Sequence, residues 1–162
     1  MGKLSSGFLI FIIILLYSQN LLSQSIREVR AIQLTYQRYM GAQLSWKLFA
    51  SEFLKKGEEF FEAKNLYLEN VSKGIRISAH LGQYSARDKK FLLKGKIQLR
   101  TEKEGEVFTE ELYFYPERDL IEAPGVVIIK KGAMEIIGEG LTYQVSAGDF
   151  KLHKRARAQF KF

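Results

Sequence analysis

The chain has 162 residues, of which 46% are hydrophobic, and its 25 basic and 18 acidic side chains give a formal net charge of +7. It contains no cysteine, which excludes a disulfide framework, a thiolate nucleophile, a zinc-thiolate site and a lipid-acylated cysteine. The positive charge is spread along most of the chain and suits anionic lipid head groups as partners.

An uncharged run occupies residues 4–26 near the N-terminus. As a helix it would be about 34 Å long, enough to cross a hydrocarbon core of about 30 Å. We therefore predict a transmembrane anchor at 1–26, which would make the chain a single-pass inner-membrane protein with 27–162 in the periplasm. The alternative is a cleaved secretory signal, because the densest apolar part is short and Ser23 and Ser25 suit a cleavage site. Both interpretations export the domain, so we expect no nucleic-acid partner.

Residues 27–162 are predicted to form one all-β domain, because apolar and polar residues alternate along most of this stretch. The alternation is clearest in 75–81, 91–100 and 150–160, each of which has one apolar and one polar face. The predicted strands are 29–39, 44–53, 60–69, 75–81, 91–100, 107–115, 120–130, 134–143 and 150–160.

The connections between these strands are short clusters of Gly, Lys, Asp and Ser, which is typical of antiparallel hairpins. Pro124, Gly125, Gly138 and Gly140 lie inside predicted strands and indicate bulges or bends. Because 126–129 is apolar on both faces, we expect both sides of the sheet to be covered. We predict an elongated antiparallel β-jellyroll with open, curved sheets; a filled sandwich remains the alternative.

Side chains suited to catalysis are few. His80 and His153 fall on polar strand faces, and the three aspartates fall in turns, where their side chains can cap the backbone. We predict no enzyme activity, no cofactor and no metal site. An enzymatic alternative requires Glu110 and Asp149 to converge in a cleft.

The last predicted strand is strongly basic, with no acidic residue after Asp149. Lysine and arginine on a free sheet edge discourage indiscriminate pairing. A free edge also permits a partner strand to add to the sheet. The sequence leaves both interpretations open.

Several segments resemble, in order and spacing, the LptC family of lipopolysaccharide-export proteins. They are AHLGQYSA at 79–86, LKGKI at 93–97, Gly105 followed by FTEELYF at 108–114, IEAP at 121–124, and IGEGL at 137–141. WKLFA at 46–50 resembles the family's earlier strand that leads into the first hairpin.

The resemblance implies a non-enzymatic relay in which an N-terminal helix and a periplasmic β-jellyroll receive lipopolysaccharide from an inner-membrane ABC transporter and pass it to a periplasmic bridge protein. It also implies that the helix lies beside the transporter's transmembrane subunits. The first strand, with Ile32, Leu34 and Tyr36, would pair with the transporter. The last strand would pair with the bridge protein through Lys151, His153, Arg155 and Arg157. A soluble bridge or structural adaptor, released by signal cleavage, is the alternative.

Acyl chains need a groove that excludes water, and burial contributes about 0.8 kcal/mol per CH₂ group. The predicted lining residues are those on the apolar strand faces, and each has plain core packing as its alternative. They are Ile75, Ile77, Leu81, Phe91, Leu93, Ile97, Leu99, Phe108, Leu112, Phe114, Leu141, Phe150 and Leu152.

Overall fold

The structure is a computed structural model and describes residues 28–161. In that range the chain forms nine β-strands and a short 3-10 helix at Pro116–Arg118. The strands are β1 (Glu28–Met40), β2 (Gln43–Lys56), β3 (Phe60–Asn70), β4 (Ile75–Ser85), β5 (Lys90–Thr101), β6 (Gly105–Tyr115), β7 (Leu120–Lys131), β8 (Met134–Gln144) and β9 (Asp149–Phe160).

The nine strands form a single sheet in the order β1 to β9, and every neighbouring pair is antiparallel. The sheet is open, because β1 pairs only with β2 and β9 pairs only with β8 within the described residues. The prediction of an all-β, antiparallel and open fold is therefore confirmed. The predicted anchor at 1–26 lies outside the described residues. Between residues 28 and 161 there is no helix of the length and apolar character that crossing a membrane requires.

Six strands, β1, β2, β3, β4, β6 and β8, change their buried face near the middle, whereas β5 and β7 keep theirs across an interruption at 94–96 and 124–126. In β6, Val107 and Thr109 are buried, two residues then point outward, and Leu112 and Phe114 are buried again. These changes of face, the interruptions in β5 and β7 and an irregularity at the matching place in β9 form a line across the sheet that we call the corner. The corner residues are 32–33, 51–52, 64–65, 80–81, 94–96, 110–111, 124–126, 139–140 and 154–155.

At the corner the regular ladder of backbone hydrogen bonds is interrupted, and side chains supply some of the missing partners. Gly95 and Lys96 in β5 have φ angles of 79° and 45°, and the Lys96 backbone N–H donates to Glu110 Oε2 at 3.2 Å. Ser51 Oγ donates to the Lys64 carbonyl oxygen at 3.1 Å and accepts a hydrogen bond from the Asn65 side-chain amide at 3.0 Å. Because these backbone groups have side-chain partners, the sheet bends sharply without leaving them unsatisfied.

The bends that the sequence predicts from proline and glycine are found at the corner. The register between β7 and β8 shifts between Ala123 and Val126, on either side of Pro124 and Gly125. Gly140 has a φ of 73°, which a residue with a side chain adopts only with strain. The sheet curves at the places where the sequence supplies flexible or ladder-breaking residues.

The corner folds the sheet so that the two halves of each strand face one another. Trp46 at the start of β2 and Phe114 at the end of β6 belong to opposite halves, yet their ring centres are 5.2 Å apart. The core lies between the halves, where each fully buried aliphatic side chain contributes about 1.5–3 kcal/mol. Its largest fully buried members are Ile75, Ile77, Leu93, Ile97, Leu99, Val107, Leu112, Ile121, Val127 and Leu141.

Candidate functional site

A cavity opens between the two halves of the sheet at the side that carries β1, β2 and β3, which we call the open side. About 140 Å³ of its interior is accessible to water, and the cavity is continuous with solvent. Its walls come from both halves, and they are mostly apolar. The lining residues are Leu34, Tyr36, Arg38, Trp46, Leu48, Phe53, Lys55, Phe61, Glu62, Ala63, Leu66, Leu68, Gly82, Tyr84, Phe91, Phe114 and Pro116.

One wall of the cavity is a row of aromatic rings. Phe61, Tyr84, Phe91 and Phe114 occupy paired positions on β3, β4, β5 and β6. Successive ring centres are 6.1, 4.7 and 5.9 Å apart. Cross-strand aromatic neighbours at these distances contact one another directly, so the row forms a continuous apolar surface.

Burial in the cavity wall shifts the pKa of the two tyrosines that line it. Burial raises the pKa of Tyr36 above its ordinary value, and the nearby charge of Arg38 partly opposes this rise. Burial also raises the pKa of Tyr84, with a smaller contribution from Glu117. Both shifts have the sign expected when a charged phenolate is disfavoured by an apolar environment.

The structure divides the predicted groove residues into three groups. Phe91 and Phe114 line the cavity. Phe150 and Leu152 are partly buried and pack against the core on the opposite side of the molecule. Most of the others are sealed inside the core, with 0–1% of their surface exposed: Ile75, Ile77, Leu93, Ile97, Leu99, Leu112 and Leu141.

Leu81 and Phe108 do not share the inner face that the sequence predicts for them. Leu81 lies at the corner of β4, and its cross-strand partners are the exposed Lys64 and Lys94. Phe108 lies between two buried residues of β6 and therefore points outward, with Lys130 Nζ 5.1 Å from its ring centre. A change of face at the corner moves every later residue of a strand to the other side, which a regular alternation does not anticipate.

Sequence reasoning missed the contributions of β2 and β3 to the cavity. Leu48, Phe53 and Phe61 line it, and none of them was among the predicted groove residues. The sequence left the facing of these two strands ambiguous. A usable signal was the aromatic residue near the same end of successive strands, at Phe61, Tyr84 and Phe91.

The two edges of the sheet are the strands that the sequence placed there. In β1, Leu34 and Tyr36 point inward and line the cavity, whereas Ile32 points outward and is 76% exposed. Gln33, with a φ of 58°, lies at this change of face. In β9, Lys151, His153, Arg155 and Arg157 are all exposed, and His153 Nε2 is 2.7 Å from Thr142 Oγ1.

The side chains considered for catalysis serve the corner or the turns. Glu110 accepts a hydrogen bond from the corner backbone of β5, and Asp149 begins β9, three strands further along the sheet. His80 and His153 pack against Gly95 and Gly140, respectively, where the glycines leave room for their side chains. No group of three potential metal ligands occurs within residues 28–161.

An apolar cavity that opens at one side of a folded sheet is typical of proteins that hold a lipid or another apolar ligand. The family model described as "Lipopolysaccharide-assembly, LptC-related" matches residues 43–161, and the chain belongs to this family. The resemblance stated from the sequence is confirmed. The family takes part in lipopolysaccharide transport, has a periplasmic domain and consists of transport proteins, not enzymes. Its partners are lipopolysaccharide and bridge proteins of the same transport system.

Among solved structures, the chain is similar to the crystal structure of LptH, the LptA-homologous periplasmic component of the lipopolysaccharide transport device from Pseudomonas aeruginosa. The TM-score is 0.34 and the sequence identity is 8%, over 83% of this chain and 95% of that one. No curated protein matches the chain.

Proposed function

We propose that this chain is a relay in lipopolysaccharide export. Its cavity receives the acyl chains of lipid A from an inner-membrane ABC transporter and releases them to the periplasmic bridge protein. Residues 1–26 hold the domain at the inner membrane. The observation that carries the proposal is the apolar cavity at the open side, lined by an aromatic row and by leucines of β1, β2 and β3.

The cavity suits a ligand that must be bound and then released. Each CH₂ group moved from water into such a site contributes about 0.8 kcal/mol, so several acyl chains bind without specific polar contacts. One side of the cavity opens to solvent, which leaves a path for the chains to leave sideways. A sealed interior would hold its contents too long for a relay.

The edge strand β1 is part of the cavity wall as well as the end of the sheet. Leu34 and Tyr36 line the cavity, while the outer edge of β1 has no neighbouring strand within the described residues. A transporter strand added to this edge would extend the sheet and the apolar wall together. The edge strand β9 offers the corresponding position for the bridge protein at the opposite end of the sheet.

The lipid contact is tested by photocrosslinking in cells from Phe53, which lines the cavity, and from its neighbour Leu54. Leu54 is the matched control because adjacent residues of a strand point to opposite faces. We expect an ATP-dependent lipopolysaccharide adduct from position 53 and none from position 54. Equal adducts at both positions, or none at position 53 in a folded chain, would overturn the proposal.

The two edge assignments are tested by photocrosslinking from exposed positions of each strand, Thr35 in β1 and Lys154 in β9. We expect adducts with a transporter subunit from position 35 and with the bridge protein from position 154. The reversed pattern would contradict the proposed direction of transfer.

The anchor is tested by mass spectrometry of the mature chain. Retention of residues 1–26 supports a membrane-held relay. A mature chain that begins after residue 25 would instead favour the soluble bridge or adaptor.

A further inference from the structure

The cavity lining has two cationic side chains, and no carboxylate of residues 28–161 lies within ion-pairing distance of either. We propose that Lys55 and Arg38 form a phosphate-binding site at the cavity and bind the two phosphates of the lipid A head group while its acyl chains occupy the apolar interior. This inference rests on the proposed function, and it names the chemical group by which the cavity would distinguish lipid A from other lipids.

Lys55 is the clearest anomaly in the domain. It lies on the inner face of β2, is only 8% exposed, and lines the cavity with its Nζ 6.0 Å from the centre of the Phe61 ring. Within residues 28–161 no carboxylate lies within ion-pairing distance of it, whereas the exposed Lys64, Lys94 and Lys131 all have glutamate partners. No side-chain nitrogen or oxygen of the described residues is both sealed from solvent and without a hydrogen-bond partner, so the Lys55 ammonium reaches water in the cavity while its stem is buried. An anionic group that enters the cavity can therefore contact it directly.

Arg38 supplies the second cation from the facing half of the sheet. It is half-buried on the inner face of β1, opposite Trp46, and lines the same cavity. Its charge opposes the rise that burial causes in the pKa of Tyr36, so the guanidinium acts on the cavity wall itself. Within the described range Arg38 also lacks a carboxylate at ion-pairing distance.

Glu62 is the one acid among the lining residues, against the two cations, and it forms an ion pair with neither. It pairs across the sheet with Leu54 on β2 and with Gln83 on β4, and its carboxylate accepts a hydrogen bond from Gln83 Nε2 at 3.2 Å. The lining is therefore left with more cationic than anionic side chains. An anionic amphiphile is the complementary ligand.

The placement of the two cations favours a head group with two phosphates. Lys55 lies beyond the corner of β2 and Arg38 lies beyond the corner of β1, so the two cations line the cavity from opposite halves of the sheet. Lipid A carries two phosphates on one sugar scaffold with its acyl chains attached between them. A glycerophospholipid such as phosphatidylglycerol carries one phosphate, so it offers one anionic group to the two cations. Each charge-assisted contact to phosphate adds affinity and orientation.

The test is lipid binding by the full-length chain in phosphatidylcholine nanodiscs, followed by the emission of Trp46. Trp46 is the single tryptophan of the chain and lines the cavity. We expect the wild type to bind bisphosphorylated lipid A about tenfold more tightly than monophosphoryl lipid A, because one charge-assisted hydrogen bond has about this value. The variants Lys55→Met and Arg38→Met should each lose most of this preference.

Matched controls separate the site from the general charge of the chain. Lys56→Met and Arg30→Met remove the same charge from exposed positions on the same strands, and they should keep the preference. Lys55→Arg retains the cation and should also keep it, which distinguishes a charge contact from a packing effect. Met preserves the length and apolar stem of lysine, and the fold of each variant is checked by circular dichroism.

The outcomes distinguish this inference from the proposed function. If the wild type binds neither form of lipid A, the proposed function fails. If both forms bind but Lys55→Met and Arg38→Met keep the wild-type preference, or the exposed controls lose it equally, the phosphate site is overturned. Displacement of bisphosphorylated lipid A by an equal concentration of phosphatidylglycerol would overturn the assignment to two phosphates.

Discussion

The open side of the folded sheet differs from the side that carries β6, β7 and β8, which we call the filled side. On the filled side Val107, Leu112 and Val127 are completely buried between the two halves. On the open side Leu34 and Leu48 occupy comparable inward positions but remain only half-buried along a cavity. The same corner runs through both sides, so bending alone does not decide whether the interior is filled.

The interior is filled on one side and open on the other because the side chains on the inner face differ. The filled side offers aliphatic residues from both halves, which interlock as in other protein cores. The open side presents Arg38 and Lys55 on its inner faces, and β1 has no further strand within the described residues to cover it. We therefore expect the filled side to contribute more to the stability of the domain than the open side.

The largest effect we expect is a difference in stability between two leucine-to-alanine substitutions. Leu112→Ala on the filled side should lower the free energy of unfolding by about 2–5 kcal/mol, because it leaves a cavity in a sealed core. Leu48→Ala on the open side should cost about 1 kcal/mol, since its side chain already borders empty space. Urea denaturation of both variants measures the difference. Equal losses would show that the open side is packed like the core.

A turn glycine on each side provides a second comparison. Gly105, the first residue of β6, has a φ of 87°, and a Cβ there would overlap the carbonyl oxygen of Lys130. Gly41, between β1 and β2, has a φ of 62° with nothing within 4 Å of an added Cβ. We expect Gly105→Ala to cost about 2–4 kcal/mol and Gly41→Ala about 1 kcal/mol, the cost of the left-handed conformation alone. Thermal unfolding compares them, and a larger loss from Gly41→Ala would contradict the stated packing.

The smallest effect concerns the end of the edge strand β9. Glu135, on β8, accepts hydrogen bonds from Lys161 Nζ at 3.0 Å and Gln159 Nε2 at 2.7 Å. These bonds hold the pKa of the Glu135 carboxyl below its ordinary value. The stabilisation that these hydrogen bonds give to the folded state is therefore complete at neutral pH. It is lost as the pH falls through the pKa of Glu135 in the folded state.

Glu135→Gln should speed amide hydrogen exchange in the last residues of β9 at neutral pH and make it less sensitive to acid. Glu139→Gln on the same strand is the control, since within the described residues Glu139 has no ion pair. Within the described residues no ion pair holds β1 to its neighbour, so β1 should exchange faster than the end of β9. Unchanged exchange in Glu135→Gln would show that the hydrogen bonds of Glu135 do not stabilise the end of β9.

The strands and turns were predictable from the sequence because alternation with a period of two marks a half-buried strand directly. The curvature was also predictable, since Pro124, Gly125 and Gly140 interrupt the ladder where the sheet bends. These features depend on local chemistry. The assignment to the family rests likewise on short segments whose order can be read along the chain.

The position of the cavity was not predictable in the same way. Leu81 lies on the outer face because β4 changes its buried face at the corner, and a shift of one residue moves a side chain across the sheet. Whether the halves touch or separate depends on long-range contacts such as that between Trp46 and Phe114. Local alternation carries no information about such contacts.

The most direct test of the lipid-binding cavity uses cysteines introduced into this cysteine-free chain at Leu48 and Phe49. Position 48 lines the cavity, and Phe49, its neighbour, is 42% exposed on the outer face. The rate of thiol alkylation is measured with and without lipopolysaccharide. We expect lipopolysaccharide to slow alkylation at position 48 by about tenfold or more, as for a site that exchanges water for acyl chains, and to leave position 49 unchanged. Equal protection at both positions, or no protection at position 48, would contradict an acyl chain in the cavity.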